Sequence, residues 1–418
     1  VLDEEHDSSY KQVSPMPCYH ARELAIHRAD KFGAKVVLGS ATPSLSTWKN
    51  IVPEGPIVLA KLENRISRKP LPPVHVVDMR EELATGNRGL ISKELRRRLL
   101  RLAELNEQAV ILVPKRGYSS FLSCRSCGEV VQCPNCDVAL TVHRNSQGCQ
   151  WLRCHWCDYR ANIESCCNEC GSRAFKPFGA GTQRVMEYLS RELEGLRSLR
   201  FDRDSTGGRD GHRNLLEKFA AGDADILIGT QMLAKGMDLP RVTLAVVLAA
   251  DSLLHRPDLS AEEQALQLFM QLAGRAGRGE LPGEVLVQTY CPNHPVINHL
   301  QDGRYEEFLK KELQLRRDAG LVPYSRTCLL RLAGKSTNST RAAADNLAKI
   351  IRPICNESHW QIVGPVPALV GKVAGKSRWQ LLLHGPLLTP LPLPGGSTLW
   401  KELPEGVTLS IDPDPLNL

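Results

Sequence analysis

Three things that would each settle a class are missing from this chain. No apolar run approaches the roughly eighteen residues that a membrane-crossing helix needs, and no apolar leader is present, so the sequence reads as a cytoplasmic protein without a membrane partner. No G-x-x-x-x-G-K-[ST] loop, whose backbone amides would cradle a phosphate, occurs in the 418 residues. Gly371 to Ser377 reads G-K-V-A-G-K-S and is too short by one, and Gly334-Lys335-Ser336 has Leu329 where the first glycine belongs; both read as decoys. A strong charge excess is also lacking. The net charge of +7 leans toward a polyanionic partner without separating a nucleic-acid binder from an ordinary basic enzyme. The length and the 42% apolar content fit about two to four domains. The first residue is Val1 rather than Met, and a polar motif follows at once, so the chain reads as the later part of something longer.

Cysteine, by contrast, is plentiful. Cys124/Cys127, Cys133/Cys136, Cys154/Cys157 and Cys167/Cys170 form four Cys-x-x-Cys pairs, separated by five, seventeen and nine residues. Each pair can place two thiolates on one tetrahedral metal, so four pairs predict two closed, all-thiolate zinc sites with no open position for substrate. Closed sites are structural. Disulfides are the weaker reading for a long chain without a leader. Spacing leaves three ways to share two metals among the pairs. Cys149 and Cys166 lie inside the module without a pair and read as bystanders, as do Cys18, Cys291, Cys328 and Cys355.

Around the module, strand and helix alternate. An apolar Val-Leu pair runs into Asp3-Glu4-Glu5-His6, and Lys35 to Leu38 runs into Gly39-Ser40-Ala41-Thr42. Both read as strand ends presenting polar residues at the carboxyl edge of a sheet, where open α/β folds bind ligands. Residues 21–32 have helical spacing, with Leu24, Ala25 and Arg28 a turn apart. Helix 93–105 leads to strand 109–113, helix 183–194 to strand 197–201, helix 212–221 to strand 225–229, and helix 262–273 to strand 284–289. That alternation predicts a parallel sheet with helices on both faces, with the cysteine module inserted after strand 109–113. From about residue 303 the pattern becomes a small α+β domain. It has helices at 305–317 and 341–352, strands near 327–333, 361–370, 378–384 and 407–411, and an extended Pro-rich stretch at 386–394. The expected divisions are 1–66, 67–302 with the module at about 121–178, and 303–418.

The polar motifs suggest nucleotide chemistry. Nucleotide hydrolysis needs Mg²⁺ on a carboxylate, a group to activate water, and cations for the transferred phosphoryl. Asp3 is the candidate for the metal and Glu4 for the water. Gln271 to Arg278 reads Q-L-A-G-R-A-G-R, which puts Arg275 and Arg278 three apart at a helix end, on one face, with glycines that let backbone approach a ligand. Two acids at a strand end can also merely cap a helix, and two arginines can be a solvated helix end. Lys235, Lys115 and Arg116 follow strand ends, and Lys372, Lys376 and Arg378 cluster beside Trp379, which could stack on a base; these are the candidates for phosphate and base contacts.

Taken together, VLDEEHDSSYKQ, YHARELA, GSATPSL, PKRGYSS leading into the cysteines, GTQMLAKG, QLAGRAGRG, VGPVPAL and Arg378-Trp379-Gln380 resemble superfamily 2 DNA helicases, specifically the primosomal replication-restart helicases. The resemblance covers nearly the whole chain. It implies RecA-like helicase lobes and an ATP-dependent 3′-to-5′ DNA helicase, acting with Mg²⁺ at abandoned replication forks. It implies branched and single-stranded DNA, single-strand DNA-binding protein and other primosome proteins as partners. His6, Ser40 and Thr42 would couple the motifs, Gly236 and Asp238 would link nucleotide to DNA, and Gln271, Arg275 and Arg278 would face the phosphates. It also implies that the outer cysteine pairs share one zinc and the inner pairs the other. The segment after DEEH, aromatic-rich in that family, here keeps only Tyr10 and Tyr19 for stacking on bases. The alternative is a catalytically silent zinc- and DNA-binding protein that docks partners.

Overall fold

The computed structural model describes all residues except 53–54, 63–69, 115–120, 145–148, 155–156, 178–180, 203–210, 235–238, 257, 396 and 417–418. The chain divides into two compact units, one of residues 1–59, 154–160 and 309–418, the other of residues 60–153 and 161–308.

The second unit is built on a six-stranded, all-parallel sheet. Its strands lie in the order Ser198–Phe201, Ile226–Gly229, Gln108–Leu112, Val242–Val247, Glu284–Thr289, Val74–Asp78. Helix Lys93–Glu104 shows how the sequence writes this layer. Ser92 caps it by accepting from the Leu95 amide, and Leu95, Leu99 and Leu102 recur on one face and are buried in the main core beside Ile111 and Val246. Two strands escaped the sequence reading. Val242–Val247 is buried at every position, and a strand covered on both faces shows no alternation to read. Val74–Asp78, the edge strand beside Glu284–Thr289, follows a Pro-rich stretch with no helix before it.

The first unit joins the two ends of the chain. Residues 1–2 and 35–38, expected as strands, meet in one parallel bridge, Leu2 to Leu38. Helix Ala21–Phe32 ends on Gly33, whose φ of 63° a side chain would strain. Its buried residue is Arg22, and Leu24 is exposed. Residues 309–418 carry a four-stranded antiparallel sheet, ordered Gln361–Val373, Lys376–Pro386, Ser325–Gly334, Val407–Pro413, with helix Thr337–Glu357 on one face. That helix starts a turn before the expected 341 because Ser336 caps it, accepting from the Ser339 amide. Both decoys are therefore accounted for by local structure. The Ser336 hydroxyl is a helix cap, and Ala374-Gly375, with φ of 48° and 77°, is the turn of a β-hairpin.

Candidate metal centre and nucleotide-motif site

Antiparallel pairing of Leu122–Cys124 with Phe175–Pro177 closes the cysteine module on itself. Cys124 and Cys167 each begin a tight turn in which the Gly128 and Gly171 amides donate back to their carbonyls at 2.8 Å. Gly128 has φ 86°, and a Cβ there would fall 2.3 Å from the Tyr290 carbonyl oxygen, so only glycine fits. Cys124, Cys127, Cys167 and Cys170 converge in one group, and Cys133, Cys136, Cys154 and Cys157 in another, with thiols in each within 4.8 Å of one another. Of the three sharings that spacing allows, the thiols adopt outer with outer and inner with inner. The Cys124–Cys170 and Cys127–Cys167 sulfurs are both 3.6 Å apart. Tetrahedral zinc with bonds of about 2.3 Å requires sulfurs about 3.8 Å apart, so the thiols fit this metal. With four thiolates apiece, both sites are closed and structural.

The two polar motifs of the first unit meet. The Gly39 amide donates to the Leu2 carbonyl and the Glu5 amide to the Gly39 carbonyl, which sets DEEH against GSAT. His6 Nδ1 lies 2.7 Å from Ser40 Oγ, and Ser40 Oγ accepts from the Thr42 amide at 2.9 Å. Glu4 holds a φ of 49°, strained for a non-glycine residue, and one of its carboxylate oxygens is enclosed without a hydrogen-bond partner. Asp3 is exposed, and its carboxylate accepts from the Glu4 amide at 3.0 Å. Tyr10 donates its hydroxyl to the Asp3 carbonyl at 2.7 Å, and Tyr19 is exposed.

Sequence reasoning passed over the third acid of DEEH. Glu5 is 1% exposed, and its carboxylate accepts from Arg22 Nη1 at 2.7 Å, the Ser44 amide at 2.6 Å and Thr47 Oγ1 at 2.8 Å. This buried pair ties YHAR to the end of GSATPSLST. The signal was present as an arginine on the face of helix 21–32 that had to point inward. Lys11 was missed too. Its ammonium sits 2.9 Å from Asp412, which is wholly buried and also pairs with Arg331 at 3.0 Å.

Burial, followed by the nearby Arg22 charge, pushes His20 down to about 4. The folded ring stays neutral, whereas in an unfolded chain it takes a proton below about 6.5, so stability falls as pH drops from about 6.5 toward 4. Burial raises the Glu5 carboxyl, but the Ser44 amide and Arg22 outweigh it and hold it below 4.5. That contribution is present above 4.5 and is lost as pH falls further. Amide exchange in helix Ala21–Phe32, corrected for intrinsic rates, should therefore quicken from pH 7 to 5; a corrected rate that does not change would refute this coupling.

The QLAGRAGR expectation needs correction. Helix Ala261–Ala273 stops before the arginines, and Gly277, at φ 69°, turns the chain where its Cβ would meet the Gly283 amide nitrogen at 2.5 Å. Arg275 and Arg278 consequently do not share a helix face. Arg275 is buried and gives Nε and Nη2 to the Ala234 carbonyl at 3.1 and 2.6 Å; Arg278 is exposed and donates to the Gly274 carbonyl at 3.0 Å. Gln271 is half-buried in the last helical turn. Lys235, Gly236, Asp238, Lys115 and Arg116 lie outside the described residues. The tail cluster also divides. Lys376 and Arg378 alternate with Trp379 along strand Lys376–Pro386 and so face the opposite side of the sheet. Trp379 packs on the core with Arg341 5.7 Å over its ring, while Lys372 and Lys376 are exposed at the hairpin end.

A six-stranded parallel sheet, an eight-cysteine module and a small antiparallel domain follow one another along the chain, and known helicase families carry the same parts. Family models match in the same places. "Helicase conserved C-terminal domain" matches residues 175–280, "PriA DNA helicase Cys-rich region (CRR) domain" 133–161, and "Primosomal protein N C-terminal domain" 317–415. Similar proteins include "Replication restart protein PriA" of Synechocystis sp., 42% identical over 100% of this chain and 50% of that one, and of Bacillus subtilis, 41% identical over 99% and 51%. The Haemophilus influenzae protein of the same name is 36% identical over 100% of this chain and 56% of its own. The chain belongs to the replication restart protein PriA family, and it spans about half the length of these relatives. Among the described residues, no helix is long and apolar enough to cross a membrane.

Proposed function

We propose that this chain is part of an ATP-dependent 3′-to-5′ DNA helicase that acts at abandoned replication forks. In this reading Asp3 holds Mg²⁺ and Glu4 activates water. The observation that carries it is the meeting of DEEH with GSAT through His6 and Ser40, where a strained Glu4 holds one enclosed carboxylate oxygen out of hydrogen bonding, 3.6 Å from His6 Nδ1. Arg278, exposed beyond the helix, is the cation free to reach toward a phosphate; Arg275 positions the backbone at Ala234. Branched DNA, single-strand DNA-binding protein and other primosome proteins are the partners, in the cytoplasm.

Catalysis of this kind is mostly positioning and charge neutralisation, and the sequence has no phosphate-cradling loop. The 418-residue chain alone should show no DNA-stimulated ATP turnover. The product of the gene read from its own start codon should unwind a forked duplex, and Glu4→Gln should slow turnover by about 10²-fold or more while sparing DNA binding. Unwinding that is the same with and without Glu4→Gln refutes the assignment. Binding of fork DNA should weaken steeply with salt, and Lys372→Ala/Lys376→Ala should flatten that slope by up to about two. A slope unchanged by the pair removes the hairpin from the DNA path. The hold on Arg275 by Ala234 favours the second reading, a silent zinc- and DNA-binding docking protein, and the Glu4→Gln comparison decides between them.

A further inference from the structure

Cys291 reads from sequence as a bystander, but in the fold it is not isolated. Asp251, His255 and Cys291 offer a carboxylate oxygen, an imidazole nitrogen and a thiol within 4.8 Å of one another. Asp251 and His255 are one helical turn apart just after strand Val242–Val247, and Cys291 follows the adjacent strand Glu284–Thr289. The donors therefore converge at the carboxyl edge of two neighbouring parallel strands. Asp251 is wholly buried and is fixed by the Thr289 hydroxyl at 2.9 Å and the Tyr290 amide at 3.1 Å. His255 Nε2 is enclosed and has no hydrogen-bond partner. An imidazole nitrogen left so is costly unless something is bound beside it.

We propose that Asp251, His255 and Cys291 hold a third zinc ion, separate from the two four-cysteine sites. Nitrogen, sulfur and oxygen donors together suit zinc and not magnesium or calcium. A carboxylate and a thiolate balance Zn²⁺, so the filled site carries no net charge into a buried place. Zinc displaces the thiol proton to solvent, together with any proton that Asp251 carries. A solvent oxygen completes the tetrahedron. Bonds of about 2.0–2.3 Å need ligand atoms about 3.3–3.8 Å apart, so pairs that now lie within 4.8 Å close by at most about 1.5 Å when they bind. Thr289 and Tyr290 already orient the carboxylate, as outer partners of metal ligands do. Cys291 Sγ also lies 3.2 Å from the Gly128 carbonyl. A metal here would pin the ends of two sheet strands beside the cysteine module.

Metal analysis of the purified full chain should return three zinc ions per chain, and Cys291→Ser and His255→Asn should each return one fewer. The chain loaded with ¹¹³Cd reports the same sites without any substitution. Two resonances from four-sulfur sites should be joined by a third, upfield, from a site with a single sulfur. Two zinc ions in the unaltered chain, or no third cadmium resonance, overturn the proposal. A third ion that survives both substitutions overturns it as well.

Discussion

Cys133→Ser should cost the chain one zinc and unfold the cysteine module while the parallel sheet stays intact. The buried apolar side chains of the module, Phe121, Leu122, Val130, Val138, Ala139, Leu140 and Leu152 among the described residues, make a small core for some fifty residues. Structural zinc contributes about 10–16 kcal/mol in small zinc-finger peptides, so metal rather than packing supplies the folding energy here. Opening one four-thiolate site removes much of that. Protease cutting should appear between residues 121 and 177 and not in strands Gln108–Leu112 or Val242–Val247, with zinc content lower by one per chain. A full zinc content with an unchanged cleavage pattern would mean that Cys133 is not a ligand.

Arg22→Ala should be the most damaging single change in the first unit. It strands Glu5, 1% exposed, without the cation that offsets its burial. Breaking a buried ion pair from one side costs about 3–5 kcal/mol, because the remaining charge stays in low dielectric. The Ser44 amide, which donates to Glu5 at 2.6 Å, reports the loss: its hydrogen exchange should quicken by about 10²–10³-fold. Adding Glu5→Gln should recover part of the loss, since a neutral amide no longer needs the guanidinium. Unaltered Ser44 exchange in Arg22→Ala would show that the Ser44 and Thr47 donors suffice without it.

The alternating helices and strands, the eight paired cysteines and the small terminal domain were legible because each depends on local spacing. Thiols with two residues between them can share one metal, and Leu95, Leu99 and Leu102 recur on one helix face. What stayed illegible depends on contacts remote in sequence. Val242–Val247 has no polar face to give it away, and the Glu5–Arg22 and Lys11–Asp412 pairs look like surface charges until the fold buries them. The arginines of QLAGRAGR were misplaced for a different reason. The regular helix ends at Ala273, before either arginine, and Gly277 at φ 69° turns the chain between them; residue spacing cannot carry a face around a turn.

Lys11 and Asp412 sit four hundred residues apart, with a parallel-sheet unit encoded between them. During synthesis Lys11 leaves the ribosome some four hundred residues before Asp412, and its buried ammonium finds this counter-charge only when strand Val407–Pro413 emerges. At about 5–20 residues per second, that wait is some tens of seconds. The intervening sheet has time to form first, and the segment that carries Asp3, Glu4 and Glu5 settles last.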